Sequence, residues 1–291
     1  MAAHPYSPSN LVNRTTMNDS VTLFEVGPRD GLQNEKRLLT VDQKVDLVNA
    51  LSQTGLTKIE TGSFVSPKWI PQMASSNEVF AQISRSPSVI YSALTPNLKG
   101  FEAAIASDVD EVAIFAAVSE SFSQKNINCS IEQSLERFEP IMALAREYQI
   151  PVRGYLSCVM GCPYEGNVSA HSVANLSKHL YELGCYEISL GDTIGVGNPR
   201  LTKAMLEAVT QDVPVENIAI HCHDTYGRAI ANICTALELG VRTIDSSVSG
   251  LGGCPYAKGA SGNVSTEDVI DLLDSLGLDH GVNLELSLIH I

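Results

Sequence analysis

The stretch NIAIHCHD at residues 217–224 is an apolar run that ends at two histidines two positions apart. Because successive side chains of a β-strand point to opposite faces, a strand here would project both imidazoles from one face at its carboxyl end. Neutral imidazole is the commonest metal ligand in proteins, so the pair favours a metal site. A His-x-His pair by itself is more often structural or incidental, and the hypothesis therefore depends on ligands from elsewhere in the chain.

Short apolar runs alternate with amphipathic stretches along the whole chain. The strand candidates are 21–27, 58–64, 89–94, 111–118, 152–157, 187–190, 218–223 and 243–248. The helical candidates include 41–53, 132–149, 173–183, 226–239 and 265–276. Strand–helix alternation implies parallel strands with right-handed crossovers, and eight such units are what a (β/α)8 TIM barrel requires. We predict this α/β fold; a doubly wound sheet, the alternative, would leave about two strands unused.

A chain of 291 residues is long enough for one barrel, and no linker-like segment divides it. We expect a single barrel domain over residues 21–284. We interpret residues 1–20, which are rich in Ser, Asn and Pro, as a loose leader. Residues 285–291 form an apolar, atypical tail.

The charge and cysteine content restrict the partners and the compartment. A net charge of −14 argues against nucleic acid or an anionic membrane surface, since phosphate binding needs basic surfaces. Any anionic substrate must then meet a local basic pocket. No apolar run is long enough to span a bilayer. Seven cysteines, an odd number, favour reduced thiols, and the leader lacks the apolar core of a signal peptide, so we predict a cytoplasmic protein.

Polar clusters fall where a barrel would place an active site, at the carboxyl ends of its strands. They follow or end the first, second, fifth, sixth, seventh and eighth predicted strands. The clusters are 25–33, Glu60 with 61–63, Tyr155, 191–193, His221 with His223, and 250–263. This coincidence of position carries more weight than any one motif.

Asp30, His221 and His223 offer one carboxylate and two imidazoles, and Asn263 can add a carbonyl oxygen. Two oxygen and two nitrogen ligands leave room for water or substrate in a six-coordinate shell, which suits Mg²⁺ or Mn²⁺ better than zinc. Asp30 could instead be a turn residue before glycine. Arg29 could stabilise an oxyanion, or pair with Glu60, or do both.

The glycine-rich segment 250–263 lacks the Gly-Lys-Ser/Thr of a P-loop. Its five glycines predict a mobile segment that folds over a ligand and carries Cys254 to the reaction centre. The alternative for Cys254 is an inert small apolar side chain. Cys158, Cys162 and Cys222 could suggest a zinc site, but no second closely spaced pair completes it, and buried thiols are the better interpretation.

Together these segments resemble the 3-hydroxy-3-methylglutaryl-CoA lyase family, within the wider group of metal-dependent lyases and Claisen-type synthases. The resemblance covers residues 21–284, and it implies cleavage of 3-hydroxy-3-methylglutaryl-CoA to acetyl-CoA and acetoacetate with Mg²⁺ or Mn²⁺. The motifs that carry it are GPRDGLQNE at 27–35, ETGSFVSPKW at 60–69, RGYLSCVMGCPYEG at 153–166, EISLGDTIGVG at 187–197, AIHCHDTYG at 219–227 and SGLGGCPYAKGASGN at 249–263.

The resemblance also implies roles for single residues. It assigns the metal to Asp30, His221, His223 and Asn263. It places Arg29 on the thioester oxygen and Cys254 as an acid/base group, makes Glu60 catalytic or supporting, and offers His221 or Asp30 as the base. It implies an acyl-CoA substrate and a homodimer. The residues it places along the pocket are Gln33, Ser63, Asn126, Tyr155, Ser189 and Asp192.

Four alternatives stay open at this point. A sister lyase for a longer branched substrate, such as the isohexenyl 3-hydroxyglutaryl-CoA, would share the metal site. A Claisen-type synthase resembles this chain mainly at the metal residues. A zinc hydrolase of barrel fold would carry its His-x-His pair on the first strand, with more histidines following. Because the family continues into another helical segment where 285–291 do not match, a non-catalytic remnant is the fourth.

Overall fold

The computed structural model describes residues 20–252 and 262–285. Eight strands in these ranges pair in parallel with their neighbours, and the last pairs with the first, which closes the sheet. The predicted TIM barrel is confirmed. The strands are β1 (Thr22–Glu25), β2 (Lys58–Ser63), β3 (Ile90–Leu94), β4 (Glu111–Ala117), β5 (Val152–Ser157), β6 (Glu187–Asp192), β7 (Ile218–Cys222) and β8 (Thr243–Ser246).

Six of the eight strands end one or two residues away from the predicted position, and the ends of β6 and β8 show the physical reason. β6 continues beyond its predicted end at 190, because Gly191 and Asp192 pair with β7. β8 stops at Ser246, before its predicted end at 248, because the Ser247 amide donates to the Val264 carbonyl at 3.1 Å. Both differences lie at the mouth of the barrel, where the strands pass into polar loops.

Helices connect the strands, and all five predicted helices are present within the described residues. The predicted helix 226–239 begins only at Ala229, because Gly227 closes a turn with φ +67°, which a helix does not allow. The longest helix, α5, has 18 residues, and no described helix is both long and apolar enough to cross a bilayer. The helices are α1 (Val41–Leu51), α2 (Ser76–Gln82), α3 (Leu98–Ala106), α4 (Glu120–Ile127), α5 (Ile131–Tyr148), α6 (Ala170–Leu183), α7 (Pro199–Val209), α8 (Ala229–Glu238) and α9 (Thr266–Leu276).

Side chains of the strands alternate between the helical layer and the lumen. On β5, a Cβ added to Gly154 would lie 3.2 Å from Ile188 and 3.5 Å from Leu180 of α6, so this position faces the helices. Its neighbours Arg153 and Tyr155 therefore point into the lumen, and Arg153 is fully buried there. The lumen thus holds the charged side chain of Arg153.

The predicted leader and tail fall almost entirely outside the described residues, which omit 1–19 and 286–291. The described ends meet at the amino side of the barrel. The Val21 amide donates to the Asp279 carbonyl at 2.7 Å, and the Asn283 amide donates to the Thr54 carbonyl at 2.6 Å. The domain limits stay a prediction.

Candidate metal centre

A tight turn after β1 fixes the first two functional side chains. The Val26 carbonyl accepts the backbone N–H groups of Arg29 and Asp30 at 3.2 and 2.8 Å. The turn needs glycine at its start, because a Cβ on Gly27 would lie 2.5 Å from Glu25 Oε1. The GPRDG segment therefore holds Arg29 and Asp30 in place at the mouth of the barrel.

Three of the predicted metal ligands meet at this mouth. Asp30, His221 and His223 each offer a ligand atom, and these atoms all lie within 4.8 Å of one another. His221 is near the end of β7, and His223 follows that strand by one residue. Both histidines are buried, and their ring centroids are 5.3 Å apart. The barrel thus gathers one carboxylate and two imidazoles from distant parts of the chain.

Asn263, the fourth predicted ligand, borders the same cluster. Its Nδ2 donates to Asp30 Oδ2 at 2.9 Å and to the Leu251 carbonyl at 3.1 Å. A backbone bridge to His223 fixes its position beside β7. Ligation through the amide oxygen requires a half-turn of this amide about its Cβ–Cγ bond.

Arg29 joins the cluster to Glu60 of β2. Its Nε donates to Glu60 Oε2 at 2.6 Å, and its Nη1 donates to Asp30 Oδ1 at 2.7 Å. Its guanidinium carbon lies 5.3 Å from the centroid of the Tyr155 ring. The ion pair that the sequence offered as one interpretation of Arg29 is therefore present, and it holds the guanidinium beside the metal cluster.

Burial and the neighbouring charges act in opposite directions on the pKa values of the carboxyl groups of the site. Burial would raise the pKa of Asp30, but the charges of Arg29, His221 and His223 outweigh it and lower that pKa to about 2. Burial raises the pKa of Glu60 above its usual value, although Arg29 opposes this. Asp30 is therefore the ionised carboxylate at the centre of the site.

Asp245 of β8 is a functional neighbour that the sequence analysis missed. His221 Nδ1 donates to Asp245 Oδ2 at 3.2 Å, and Arg153 forms two hydrogen bonds to the same carboxylate, at 2.7 and 3.1 Å. Burial lowers the pKa of His221, but the hydrogen bond and the charge of Asp245 outweigh this and raise it. A charged residue inside an apolar strand was the signal that could have revealed Asp245.

His223 has a different environment. Its Nδ1 is buried and has no hydrogen-bond partner among the described residues. Burial, and then the neighbouring His221, lower the pKa of His223 to about 4. A buried imidazole nitrogen without a partner is costly unless a ligand satisfies it.

The predicted pocket residues divide into two groups. Gln33 Nε2 donates to Asp30 Oδ1 at 3.2 Å, and the Tyr155 ring packs edge-on against His221 with centroids 6.4 Å apart, so these two border the cluster. The hydroxyls of Ser63 and Ser189 donate instead to the Leu94 carbonyl and to Asp245. Asn126 is exposed on α4, and no described contact brings it to the cluster.

Asp192, the last predicted pocket residue, ends β6 and is fully buried. Its Oδ2 accepts the Gly197 amide at 2.9 Å, while its Oδ1 has no partner among the described residues. Burial raises its pKa to about 6. Asp192 thus keeps one acceptor atom available next to β7.

Cys254 lies outside the described residues, so its predicted role is not tested. The residues that flank the undescribed segment 253–261 lie at the metal cluster. The Gly262 amide donates to the Gly252 carbonyl at 3.1 Å, and a Cβ on Gly252 would lie 2.9 Å from Asn263 Nδ2. Gly252 has φ +116°, a backbone conformation that favours glycine.

The donor set fits a divalent cation. An ionised carboxylate, two imidazoles and an amide oxygen offer hard and borderline ligand atoms, which suit Mg²⁺ or Mn²⁺. The partnerless nitrogen of His223 and the convergence within 4.8 Å are what such a site requires. The described residues near the cluster contribute no cysteine ligand to this group.

Comparison with known proteins gives the family. The family model described as HMGL-like matches residues 20–289. The mitochondrial hydroxymethylglutaryl-CoA lyase of Gallus gallus is 60% identical over 91% of this chain and 89% of its own length. The cytoplasmic 3-hydroxy-3-methylglutaryl-CoA lyase of Homo sapiens is 59% identical over 91% of this chain and 71% of its own length.

A solved structure agrees with this result. The crystal structure of hydroxymethylglutaryl-CoA lyase from Pseudomonas aeruginosa superposes with a TM-score of 0.92 at 58% sequence identity. It covers 94% of this chain, which in turn covers 91% of it. The chain therefore belongs to the HMGL-like family and, within it, to the hydroxymethylglutaryl-CoA lyases.

Proposed function

We propose that this chain cleaves 3-hydroxy-3-methylglutaryl-CoA to acetyl-CoA and acetoacetate with the help of Mg²⁺ or Mn²⁺. The observation that carries the proposal is the cluster of Asp30, His221 and His223 within 4.8 Å, with Arg29 bonded to it. The relatives named hydroxymethylglutaryl-CoA lyase, at about 60% identity, supply the substrate.

The reaction breaks a carbon–carbon bond, so it needs a base for the tertiary hydroxyl and stabilisation for the enolate of the departing acetyl thioester. Asp30, His221, His223 and Asn263 would hold the cation. When bound, the cation supplies a Lewis acid that lowers the pKa of the substrate hydroxyl. Asp30 and His221 are the two candidates for this base, and each can accept a proton only through an atom that does not bind the cation.

Arg29 stabilises the negative charge that develops on the thioester oxygen. A guanidinium has five N–H donors, of which Glu60 and Asp30 each engage one. The remaining donors have no acceptor among the described residues and are suited to substrate, and the two carboxylates keep the group from rotating. A donor that is fixed before the reaction stabilises the transition state without a reorganisation cost.

Cys254 supplies the proton that converts the enolate carbon to the methyl group of acetyl-CoA. This role comes from the resemblance, because the residue lies outside the described part of the chain. What supports it is the position of the flanking residues Gly252 and Gly262, which are bonded to each other beside Asn263.

Basic side chains near the mouth support an acyl-CoA substrate despite the net charge of −14. Gln72 joins the loop after β1 to the loop after β2: it accepts from the Leu39 amide and donates to the Arg37 carbonyl, both at 3.0 Å. Lys36, Arg37 and Lys68 are exposed on these two loops. Their charges are suited to the phosphates of coenzyme A.

Particular observations argue against the alternative functions. The His-x-His pair is at the carboxyl end of β7 rather than on the first strand, which removes the main argument for a zinc hydrolase. The names of the relatives favour the methyl substrate over a longer branched one and favour a lyase over a synthase. The homodimer and the cytoplasmic location stay predictions, since relatives of similar identity are named both mitochondrial and cytoplasmic.

A coupled assay tests the proposal. Citrate synthase and oxaloacetate report acetyl-CoA release from 3-hydroxy-3-methylglutaryl-CoA, first with Mg²⁺, then with EDTA, then after Mg²⁺ is restored. We expect turnover that chelator removes and Mg²⁺ recovers. Turnover that chelator leaves unchanged would contradict the metal requirement, and release only from the isohexenyl substrate would favour the sister lyase.

A further inference from the structure

A buried carboxylate stands behind the metal cluster, on the side away from the mouth. Asp245 is 2% exposed and sits in the middle of β8. Its Oδ1 accepts from Arg153 Nη2 at 2.7 Å. Its Oδ2 accepts from Arg153 Nη1 at 3.1 Å, from Ser189 Oγ at 2.7 Å and from His221 Nδ1 at 3.2 Å.

Arg153 keeps this carboxylate charged. It is fully buried, and two parallel N–H···O bonds to Asp245 form the bidentate pairing that suits a guanidinium and a carboxylate. Its Nε donates to Glu187 Oε1 at 2.7 Å, so the guanidinium is held from both sides. Asp245 therefore needs no proton of its own, and both of its oxygens act as acceptors.

The pairing determines which nitrogen of His221 carries the proton. An ionised carboxylate can only accept, so the 3.2 Å contact requires a hydrogen on His221 Nδ1. In the neutral ring, Nε2 then carries the lone pair. His223 has no such partner, because its Nδ1 is unbonded among the described residues. The two histidines of the cluster are therefore not equivalent.

We propose that Asp245, held by Arg153, is a positioning residue that fixes the tautomer and the ring orientation of His221 and so sets the affinity of the metal centre. This inference rests on the proposed function, because it takes His221 to be a metal ligand. Carboxylates that orient ligand histidines in this way change metal affinity by about 10–100-fold when they are removed.

The first test measures Mn²⁺ affinity by electron paramagnetic resonance, without substrate. In Asp245→Asn, an N–H donor replaces one acceptor and faces either Arg153 or His221. We expect the Kd for Mn²⁺ to rise about 10–100-fold. The matched control is Glu111→Gln, which neutralises another buried lumen carboxylate, 2% exposed, at the amino end of β4. The Kd of this control should stay within about twofold of wild type, since no metal ligand touches it.

Circular dichroism and a thermal melt first establish that each variant is folded. A folded Asp245→Asn that binds Mn²⁺ as tightly as wild type would overturn the inference, and so would a Glu111→Gln that loses as much affinity as Asp245→Asn. Loss of Mn²⁺ binding by wild type itself would instead defeat the proposed function. The two failures are therefore distinguishable.

A second measurement needs no change at Asp245, in case that variant does not fold. ¹⁵N NMR of metal-free wild type, at a pH where the ring is neutral, reports the tautomer of each histidine, and His221→Gln assigns the signal. We expect His221 to be protonated at Nδ1 and unprotonated at Nε2. The opposite tautomer, or a mixture of the two, would overturn the inference.

Discussion

The two ends of the barrel lumen both bury charged groups, but they balance them differently. At the amino end, Lys58 Nζ lies 2.7 Å from the Tyr186 hydroxyl and 3.5 Å from Glu111 Oε2, and Tyr186 donates to the same carboxylate at 2.7 Å. At the carboxyl end, ligand atoms of Asp30, His221 and His223 converge within 4.8 Å. Each end contains a cation, Lys58 or Arg29, but the carboxyl end also brings a carboxylate and two imidazoles together.

This difference separates a structural network from a reactive one. Lys58, Glu111 and Tyr186 bond to one another, so their charges contribute to the stability of the fold. In the metal cluster, Arg29 balances the charge of Asp30, but the buried Nδ1 of His223 has no partner among the described residues. Such an orphan acceptor is costly unless a ligand such as a cation binds it. Substitutions at the two ends should therefore affect different properties.

The largest effect should come from Asp30→Asn. The substitution removes the carboxylate from the cluster, so Mn²⁺ binding should be lost and acetyl-CoA release should fall by about 10³-fold or more, because a metal contributes several kcal/mol to such a transition state. The melting temperature should also fall, because Arg29 and the two histidines stabilise the ionised carboxylate that the substitution removes. The coupled assay and a Mn²⁺ titration measure both. Activity within tenfold of wild type would contradict the assignment of Asp30.

Arg29→Ala should reduce kcat by about 10²–10³-fold, or roughly 3 kcal/mol, as loss of an oxyanion donor does. The variant leaves Asp30 and the two histidines in place, so Mn²⁺ should still bind. Arg29→Lys is the matched control: it keeps the charge but cannot hold Glu60, Asp30 and substrate together, so kcat should recover only partly. Near-normal turnover of Arg29→Ala would show that this guanidinium does not stabilise the enolate.

Glu25 tests whether a buried carboxyl group at the mouth, outside the cluster, acts on stability alone. It accepts the Gly27 and Val248 amides at 2.7 and 2.9 Å and the Thr266 hydroxyl at 2.7 Å. Burial nonetheless raises its pKa from 4.5 to about 7. The folded state therefore holds this proton more tightly than the unfolded state does. The stability that it contributes is fully present below pH 4.5 and is lost as pH rises through 7.

Glu25→Gln should remove this dependence. Relative to the variant, wild type should lose on the order of 3 kcal/mol of unfolding free energy across that window, and the difference should be constant at higher pH. Urea unfolding at a series of pH values measures it. A difference between the two proteins that does not vary with pH would contradict the raised pKa of Glu25.

Lys58→Met, at the amino end, should have the smallest effect. Removing the cation leaves Glu111 buried without its ionic partner, which should cost about 2 kcal/mol of stability, less than for a fully buried pair because Lys58 is partly exposed. Turnover and Mn²⁺ affinity of the folded variant should stay within about threefold of wild type. A large loss of kcat with unchanged stability would contradict the prediction that the amino end of the lumen acts on stability and not on catalysis.

The sequence allows most of the fold to be predicted, because each strand is a short apolar run between amphipathic stretches. It also allows the site to be located, because the carboxyl ends of parallel strands meet at one mouth. Asp30 and His221 are far apart in the chain, yet that rule places them together. The helix predicted from residue 226 begins later, since Gly227 adopts a positive φ that periodicity does not reveal.

The residues behind the site could not be assigned in the same way. Asp245 and Arg153 lie inside strands, and whether they face the lumen depends on the register of those strands. A shift of one residue would turn every side chain of a strand to the opposite face of the sheet. Their pairing crosses from β5 to β8 through the lumen, a contact that neither local propensity nor spacing encodes. The sequence indicates Asp245 and Arg153 only as charged residues within otherwise apolar runs.

The central claim is that Asp30, His221 and His223 hold a divalent cation, and anomalous diffraction tests it most directly. Crystals grown with Mn²⁺ would be measured on both sides of the manganese absorption edge. We expect one strong anomalous peak between the carboxylate of Asp30 and the two imidazoles, at about 2–2.5 Å from each ligand atom. A peak at another location, or no peak between these three side chains, would contradict it.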